Sequence, residues 1–188
     1  MLAPLMKPIF RFWYHPTVIG KENIPDTGAL VIASNHIHVY DQCLTIISTR
    51  RAINFMAKRE YFEGKLKGFF NFVGCIPVNR NGRDTAAVMG AMRVLKNKGA
   101  IGIFPEGTRN KTEAFLLPFK PGAVTIAQKT GAAVLPVAVT GDYKFRSKNL
   151  TVQFGKPFFP DTMETAAANE KLRSEVEQMM HDNLSRTA

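Results

Sequence analysis

Short apolar runs of strand length recur along the chain and alternate with segments whose apolar residues repeat at helical spacing. The strand-like runs cover 29–33, 53–57, 75–78, 100–103 and 133–139. Continuous apolar runs of this length are typical of strands that are buried on both faces of a parallel sheet. The pattern therefore predicts an α/β protein in which helices flank a central sheet that is mostly parallel or mixed.

Helices are predicted between and after these strands, at about 85–98, 121–131 and 169–184. Asp84 is a suitable N-cap for the first of them, and Gly99 is placed to end it. Pro121 suits the first turn of the second helix, because the N–H that proline lacks would be unpaired there. No linker or internal repeat divides the sequence, so residues 21–188 are predicted to form a single domain.

Residues 1–20 form a different kind of segment, in which apolar and aromatic residues repeat at helical spacing around Lys7 and Arg11. We predict an amphipathic helix at a membrane interface, with Phe10, Phe12 and Trp13 in contact with lipid. The alternative is a helix that packs on the domain's own core, because both structures need the same apolar stripe. No apolar run approaches the roughly 20 residues that span a bilayer, so peripheral or monotopic attachment is expected.

The net charge and the cysteines limit which partners and which cellular compartment the sequence favours. The net charge of +10 is concentrated in residues 1–146, which hold 20 Lys and Arg against 9 Asp and Glu. Such a basic region attracts nucleic acid, an anionic membrane or a phosphorylated substrate, and charge alone does not choose among them. Cys43 and Cys75 lie in apolar stretches without metal-like or redox spacing, which favours reduced core thiols and a cytoplasmic location.

The string Asn-His-Ile-His-Val-Tyr-Asp at 35–41 directly follows the first strand-like run. Five positions along one helix separate two side chains by roughly 140°, so His36 and Asp41 can touch only if His36 lies in the turn and Asp41 in the first helical turn. Asp41 would then fix the tautomer of the imidazole and raise the basicity of its other nitrogen, which predicts a general base. The alternative is a structural turn histidine capped by Asp41.

The string Phe-Pro-Glu-Gly-Thr-Arg at 104–109 follows another strand-like run and indicates an anion site. Loops at the carboxyl ends of neighbouring parallel strands meet at one edge of a sheet, so both strings are expected to face one substrate. Arg109, Arg80 and Lys120 are candidate phosphate ligands, since guanidinium and ammonium groups and a helix N-terminus all favour anions. Glu106 would bind a substrate hydroxyl or pair with Arg109.

Cations and aromatic residues interleave over residues 58–70. Aromatic rings favour the headgroup depth of a bilayer and cations meet lipid phosphates, which predicts a second interfacial patch containing Phe69 and Phe70. The alternative is a core helix that turns Phe69, Phe70 and Phe72 inward.

These strings resemble the conserved blocks of the glycerolipid acyltransferases typified by 1-acylglycerol-3-phosphate acyltransferase. His36 and Asp41 are similar to the His-x4-Asp block of that family. The departures are slight: His38 and Tyr40 fall at unspecified positions inside that block, and Asn110 follows the third block where the family often has a Ser. Four blocks occur in the family's order, at 35–41, 74–80, 104–109 and 134–137.

The resemblance implies α/β layers on the cytoplasmic face of a membrane. It also implies transfer of a fatty acyl group from acyl-CoA or acyl carrier protein to the sn-2 hydroxyl of 1-acylglycerol 3-phosphate, giving phosphatidic acid, with no metal and no cofactor. His36 would be the base and Asp41 its orienting partner. The phosphate and glycerol site would contain Arg80, Glu106, Gly107, Thr108 and Arg109, to which charge and position add Lys120.

Two alternatives stay open at this point. The same chemistry could use another acceptor, such as glycerol 3-phosphate or another lysophospholipid. A non-catalytic basic module that binds membranes or nucleic acid would instead have aromatics spread for base stacking and no acid beside its cations. Because Asp41 and Glu106 lie inside the best motifs, an enzyme without a nucleic-acid partner is favoured.

Overall fold

A seven-stranded mixed sheet forms the centre of the protein in the computed structural model, which describes residues 3–65, 67–79 and 84–187. The strands are β1 Thr17–Ile19, β2 Leu30–Ser34, β3 Ile53–Lys58, β4 Ile76–Val78, β5 Ala100–Ile103, β6 Ala133–Thr140 and β7 Thr151–Phe154. The α-helices are α1 Ala3–Tyr14, α2 Asp41–Ser48, α3 Lys67–Phe72, α4 Thr85–Lys96, α5 Gly122–Thr130 and α6 Thr165–Thr187.

The strands lie in the order β1-β7-β6-β2-β5-β3-β4. From β6 to β4 the five strands are parallel, whereas β7 runs antiparallel to β6 and β1 parallel to β7. The predicted α/β class with a central sheet flanked by helices is confirmed. The pattern did not predict β1 and β7, and β1 lies inside the segment assigned to the N-terminal helix, so the sheet begins before residue 21.

Side chains alternate between the two faces of the central strand β2 and so divide the core into two layers. Val31 and Ala33 pack with α4, α5 and α6 on one face. Leu30 and Ile32 pack with α1 and α2 on the other. Since β2 is covered on both sides, its residues are all apolar until Ser34 at its carboxyl end.

The predicted helix ends are set by local chemistry. Asp84 caps α4 by accepting a hydrogen bond from the backbone N–H of Ala87 at 3.0 Å. Gly131 ends α5 in the left-handed conformation, with φ 63°. Helix α6 begins earlier than predicted, because Glu164 accepts from the N–H of Ala167 at 3.1 Å. Its first turn consists of Thr165 and three alanines, which give no periodicity of large apolar residues.

Helix α1 has one buried and one exposed side. Phe10 is only 9% exposed and belongs to the core layer that includes α2, so its prediction as a membrane-contacting residue is wrong. Phe12 and Trp13 are 64% and 51% exposed and remain available on the other side. Within the described ranges, no helix is long and apolar enough to cross a bilayer.

The patch predicted over residues 58–70 is not a core helix. Helix α3 contains no buried residue; Phe69 is 48% exposed and Phe72 is 67% exposed. Phe70 is half-buried and stacks on Tyr61, with ring centroids 5.1 Å apart. The alternative that turned these rings inward is therefore wrong.

Candidate active site

The loops that follow β2, β5 and β6 meet at the carboxyl edge of the sheet. They carry His36, Glu106 and Tyr143 respectively. Hydrogen bonds that involve Glu106 and Tyr143 connect the second and third loops to the first loop, in which His36 is bonded to Asp41. The sequence predicted that the first two loops would meet, and they do. Arg80, predicted to follow β4 at the same edge, lies outside the described residues.

The predicted contact between His36 and Asp41 is present. His36 lies in the loop before α2, Asp41 is the first residue of α2, and the imidazole Nδ1 is 2.7 Å from Asp41 Oδ2. The backbone N–H groups of Ile37 and His38 donate to the same oxygen, each at 2.8 Å. Asp41 is only 1% exposed, and these donors stabilise its buried charge.

The imidazole of His36 is held with one nitrogen free. Because a carboxylate only accepts, Nδ1 carries the proton and the lone pair lies on Nε2. Among the described residues, Nε2 makes no hydrogen bond. The ring stacks on Phe104, with centroids 3.9 Å apart and planes 14° apart, and the residue is 9% exposed.

Glu106 binds the backbone of the loop that carries His36, a role that the sequence did not predict. Its Oε1 accepts from the backbone N–H of His36 at 2.6 Å, and its Oε2 accepts from the N–H of Leu117 at 3.1 Å. It is 5% exposed, and burial raises the pKa of this carboxyl although the two N–H donors act in the opposite direction. The described residues contain no ion pair between Glu106 and Arg109, and both carboxylate oxygens are already bonded within the protein.

Lys120 lies against the turn that follows Glu106, and Arg109 comes two residues after Gly107 of that turn. Gly107 has φ 73°, a left-handed conformation, and a Cβ built there would lie 2.9 Å from Lys120 Nζ. The Lys120 N–H donates to the Pro105 carbonyl at 2.9 Å, which holds this lysine against the turn. Thr108, Arg109 and Lys120 are exposed, and in the described part of the chain neither cation has a carboxylate partner.

A cavity of about 280 Å³ opens beside this turn, on the side of the sheet that faces α4 and α5. Phe104, Gly107 and Lys120 form its wall next to the motifs. Its remaining walls are mostly apolar and include Met56, Ala87, Val88 and Ile103. Phe104 thus contributes both to the lining of this cavity and to the stack on the imidazole of His36.

Asn35 fastens the same loop to β6. Its side-chain Nδ2 donates to the Val139 carbonyl at 2.8 Å, and its Oδ1 accepts from the Val139 N–H at 2.7 Å. The amide therefore replaces a peptide group and continues the β2–β6 ladder beyond the end of the strand. His36 is the next residue, so its backbone is held by Asn35 on one side and by Glu106 on the other.

Tyr143 is a site residue that sequence analysis missed. Its hydroxyl donates to Asp41 Oδ1 at 2.6 Å across 102 positions of sequence. Neither its spacing nor its neighbours Asp142 and Lys144 form a motif with residues 35–41, so no signal indicated it. The strand order, which places β6 beside β2, is what brings it here.

The two cysteines do not supply a nucleophile at neutral pH. Burial raises the pKa of the Cys43 thiol to about 11, with the charge of Asp41 adding to the effect. Burial likewise raises the pKa of Cys75 to about 11, and the two cysteines are not bonded to each other. Across the described ranges, no three His, Cys, Asp or Glu side chains are close enough to hold a metal ion.

An imidazole whose second nitrogen has no partner among the described residues, near a turn with exposed cations on an α/β sheet, suits the transfer of a group to a hydroxyl. The class is an acyltransferase, because the family model described as Acyltransferase matches residues 15–140. The chain belongs to that family, and the resemblance drawn from its sequence blocks is confirmed.

Individual relatives agree. The chain is 30% identical to the 1-acyl-sn-glycerol-3-phosphate acyltransferase of Bacillus subtilis over 86% of each protein. It is 34% identical to the Borreliella burgdorferi protein of the same name, over 73% of this chain and 56% of that one. The crystal structure of the 1-acyl-sn-glycerophosphate (LPA) acyltransferase PlsC from Thermotoga maritima superposes with a TM-score of 0.77 at 25% identity, covering 94% of this chain and 78% of that one.

Proposed function

We propose that this protein transfers a fatty acyl group from an acyl thioester to the sn-2 hydroxyl of 1-acylglycerol 3-phosphate, giving phosphatidic acid. The observation that carries the proposal is the 2.7 Å contact between His36 Nδ1 and Asp41 Oδ2, which leaves Nε2 as the free base. The relatives named 1-acyl-sn-glycerol-3-phosphate acyltransferase support the choice of reaction and acceptor.

In the proposed reaction, Nε2 of His36 removes the proton of the acceptor hydroxyl as its oxygen attacks the thioester carbonyl. The new C–O ester bond forms and the C–S bond breaks. The departing thiolate takes the proton from Nε2, which returns the imidazole to its starting state. No acyl-enzyme is needed, and the Cys43 thiol, with a pKa of about 11, is not ionised enough to form one at neutral pH.

Arg109 and Lys120 are the proposed phosphate ligands, with Thr108 beside them and Arg80 as a further candidate outside the described residues. Both cations are exposed and lack a carboxylate partner among the described residues, so a substrate anion can bind without breaking an ion pair. A phosphate monoester carries nearly two negative charges at neutral pH and a diester carries one, so a site with two cations favours the monoester.

The cavity next to Gly107 and Lys120 is the proposed location of an acyl chain. Its mostly apolar walls suit a hydrocarbon, and Lys120 in its lining suits the charged end of the acceptor. Acyl-CoA or acyl carrier protein would supply the thioester as a co-substrate, and no cofactor or metal takes part in the proposed reaction.

The acceptor lipid is embedded in a bilayer, so we place the enzyme on the cytoplasmic face of the membrane. The exposed rings of Phe12 and Trp13 meet Phe145, with centroids 6.4 and 5.0 Å apart, and Arg11 and Arg146 are exposed in the same segments. Exposed aromatics beside cations suit the headgroup region of an anionic bilayer. Phe69 and Phe70 of α3 would form the second contact.

The proposal is tested by incubating the purified protein and vesicles with labelled acyl-CoA or acyl carrier protein and a panel of acceptors. We expect mass spectrometry to find phosphatidic acid from 1-acylglycerol 3-phosphate, formed roughly two to four orders of magnitude more slowly with His36→Ala. Product from glycerol 3-phosphate or another lysophospholipid alone would move the activity to that acceptor. Failure to acylate any acceptor, with binding to single-stranded DNA instead, would reject the proposal.

A further inference from the structure

Tyr143 is the only residue outside the first motif that the described structure bonds to the carboxylate of Asp41. It lies three residues after the end of β6, and its hydroxyl donates to Asp41 Oδ1 at 2.6 Å. Short O–H···O hydrogen bonds to an ionised acceptor are among the stronger ones in proteins. The contact therefore contributes to the site and is more than incidental packing.

The two oxygens of Asp41 have different partners. Oδ2 receives the imidazole Nδ1–H of His36 and the backbone N–H groups of Ile37 and His38. Among the described residues, Oδ1 receives the Tyr143 hydroxyl alone. Because Asp41 is 1% exposed, solvent cannot replace that donor at once, and the carboxylate would turn or bury an unpaired oxygen without it.

The ring of Tyr143 is itself fixed, so its hydroxyl has one direction. It stacks on the imidazole of His38 with centroids 4.3 Å apart, and it meets Tyr14 edge to face at 5.6 Å. Burial raises the pKa of the Tyr143 hydroxyl far above its usual value, and the charge of Asp41 raises it further. The hydroxyl therefore stays protonated and remains a donor at any pH at which the protein works.

We propose that Tyr143 is a positioning residue for the acyl transfer: its hydroxyl holds the Asp41 carboxylate with Oδ2 facing His36 and partly neutralises the charge that the imidazole experiences. The inference rests on the proposed function and adds a residue to it from a third loop. Tyr143 does not touch the reacting atoms. It acts on the base through Asp41.

Removing the hydroxyl has a predictable electrostatic sign. The positive end of its O–H dipole points at Asp41, so its loss leaves more uncompensated negative charge beside His36, which favours a protonated imidazole. A protonated imidazole cannot accept a proton. As the pH is lowered, the variant would therefore lose activity at a higher pH than the native enzyme does. The other titratable groups that face the pair are Glu106, Cys43, His38, Tyr14 and Tyr40, and the substitution leaves all of them in place.

The test is Tyr143→Phe, with Tyr14→Phe as the matched control. Tyr14 loses the same atom from the same aromatic cluster, and its hydroxyl has no bond to Asp41. For Tyr143→Phe we expect kcat to fall about tenfold to a hundredfold, as for a charge-assisted hydrogen bond. KM for the acceptor should stay within about twofold, and the acidic limb of the kcat profile should move up by about half a pH unit. Tyr14→Phe should change neither.

An unchanged kcat and an unchanged acidic limb in Tyr143→Phe, with an active native enzyme, would overturn the inference. A lower kcat without movement of the limb would also overturn its electrostatic part. If the native protein transfers no acyl group, the proposed function fails instead. The positioning role is then tested by NMR of the histidine rings: the His36 Nδ1–H resonance should be preserved in Tyr14→Phe and shifted or broadened in Tyr143→Phe, and an identical spectrum would reject it.

Discussion

At both edges of the central sheet, charged side chains hold neighbouring segments together by hydrogen bonds to the backbone. The charge is positive at one edge and negative at the other. At the amino edge, the Arg51 guanidinium donates to the backbone carbonyls of Pro25 at 2.8 Å, Gly28 at 2.6 Å and Lys98 at 3.2 Å, joining the segments that precede β2, β3 and β5. At the carboxyl edge, Asp41 and Glu106 accept from backbone N–H groups and join the loops that follow β2 and β5.

The difference lies in where each network ends. The donors of Arg51 end on carbonyl oxygens, which neither titrate nor react, so that edge contributes stability alone. The chain of hydrogen bonds through Asp41 ends on an imidazole whose second nitrogen has no described partner. A hydrogen-bond network of this kind therefore becomes a candidate active site only when the group at its end can accept and release a proton.

The largest expected effect is that of His36→Ala. We expect kcat to fall by roughly two to four orders of magnitude, the usual contribution of a general base, while the protein stays folded. His181→Ala is the control, because His181 is exposed on α6, stacks on Phe115 and has no described contact with His36 or Asp41. Circular dichroism and steady-state kinetics measure both. Near-native turnover of the His36 variant would show that the hydrogen bonds at the carboxyl edge have only a structural role, like those at the amino edge.

Glu106→Gln should come next and should affect both stability and activity. The amide would turn an N–H₂ toward one of two N–H donors, those of His36 and Leu117, which now share the carboxylate. We expect the free energy of unfolding to fall by about 1–3 kcal/mol and kcat to fall by about tenfold as the base shifts. Glu113→Gln, an exposed acid in the same loop, should change neither in urea unfolding or in kinetic assays. Native kinetics in Glu106→Gln would show that this carboxylate does not position the imidazole of His36.

Arg109→Ala and Lys120→Ala should act on binding. We expect KM for 1-acylglycerol 3-phosphate to rise about tenfold for each, with kcat little changed, because the phosphate is bound equally before and during the reaction. Lys111→Ala, an exposed cation two residues after Arg109, is the control. The dependence of rate on acceptor concentration measures the effect, and a KM equal to that of the control would remove both cations from the site.

The smallest effect on activity is expected at the amino edge. Arg51→Ala should lower the free energy of unfolding by about 1–3 kcal/mol, since several carbonyls lose a charged donor, and should leave kcat unchanged. Arg50→Ala, its exposed neighbour, should leave both unchanged. Chemical denaturation measures the free energy of unfolding of the two variants, and kinetic assays measure their kcat. A loss of turnover in the folded Arg51 variant would show that the two edges of the sheet are not independent.

Local chemistry made much of the fold and half of the site predictable. The strand over 100–103, the cap at Asp84 and the contact between His36 and Asp41 all follow from spacing over a few residues. Phe10 was misplaced because α1 has apolar residues on two sides, and periodicity does not say which of them meets α2.

The remaining site contacts depend on the order of strands in the sheet. Tyr143 meets Asp41, and Glu106 meets the backbone of His36, only because β6 and β5 lie on either side of β2. No spacing along the chain encodes that order. Glu106 also accepts hydrogen bonds from two backbone N–H groups of the protein, a role that its motif did not indicate.

The amide of Asn35 has a consequence for how this enzyme can be altered. Because its side chain occupies a rung of the β2–β6 ladder opposite Val139, His36 lies one residue beyond a fixed point of the sheet. Lengthening the loop after His38 would leave that anchor intact. Inserting one residue between Asn35 and His36 would rotate the imidazole away from Asp41 while the sheet stayed whole, so an engineer should treat these two positions as a single indivisible unit.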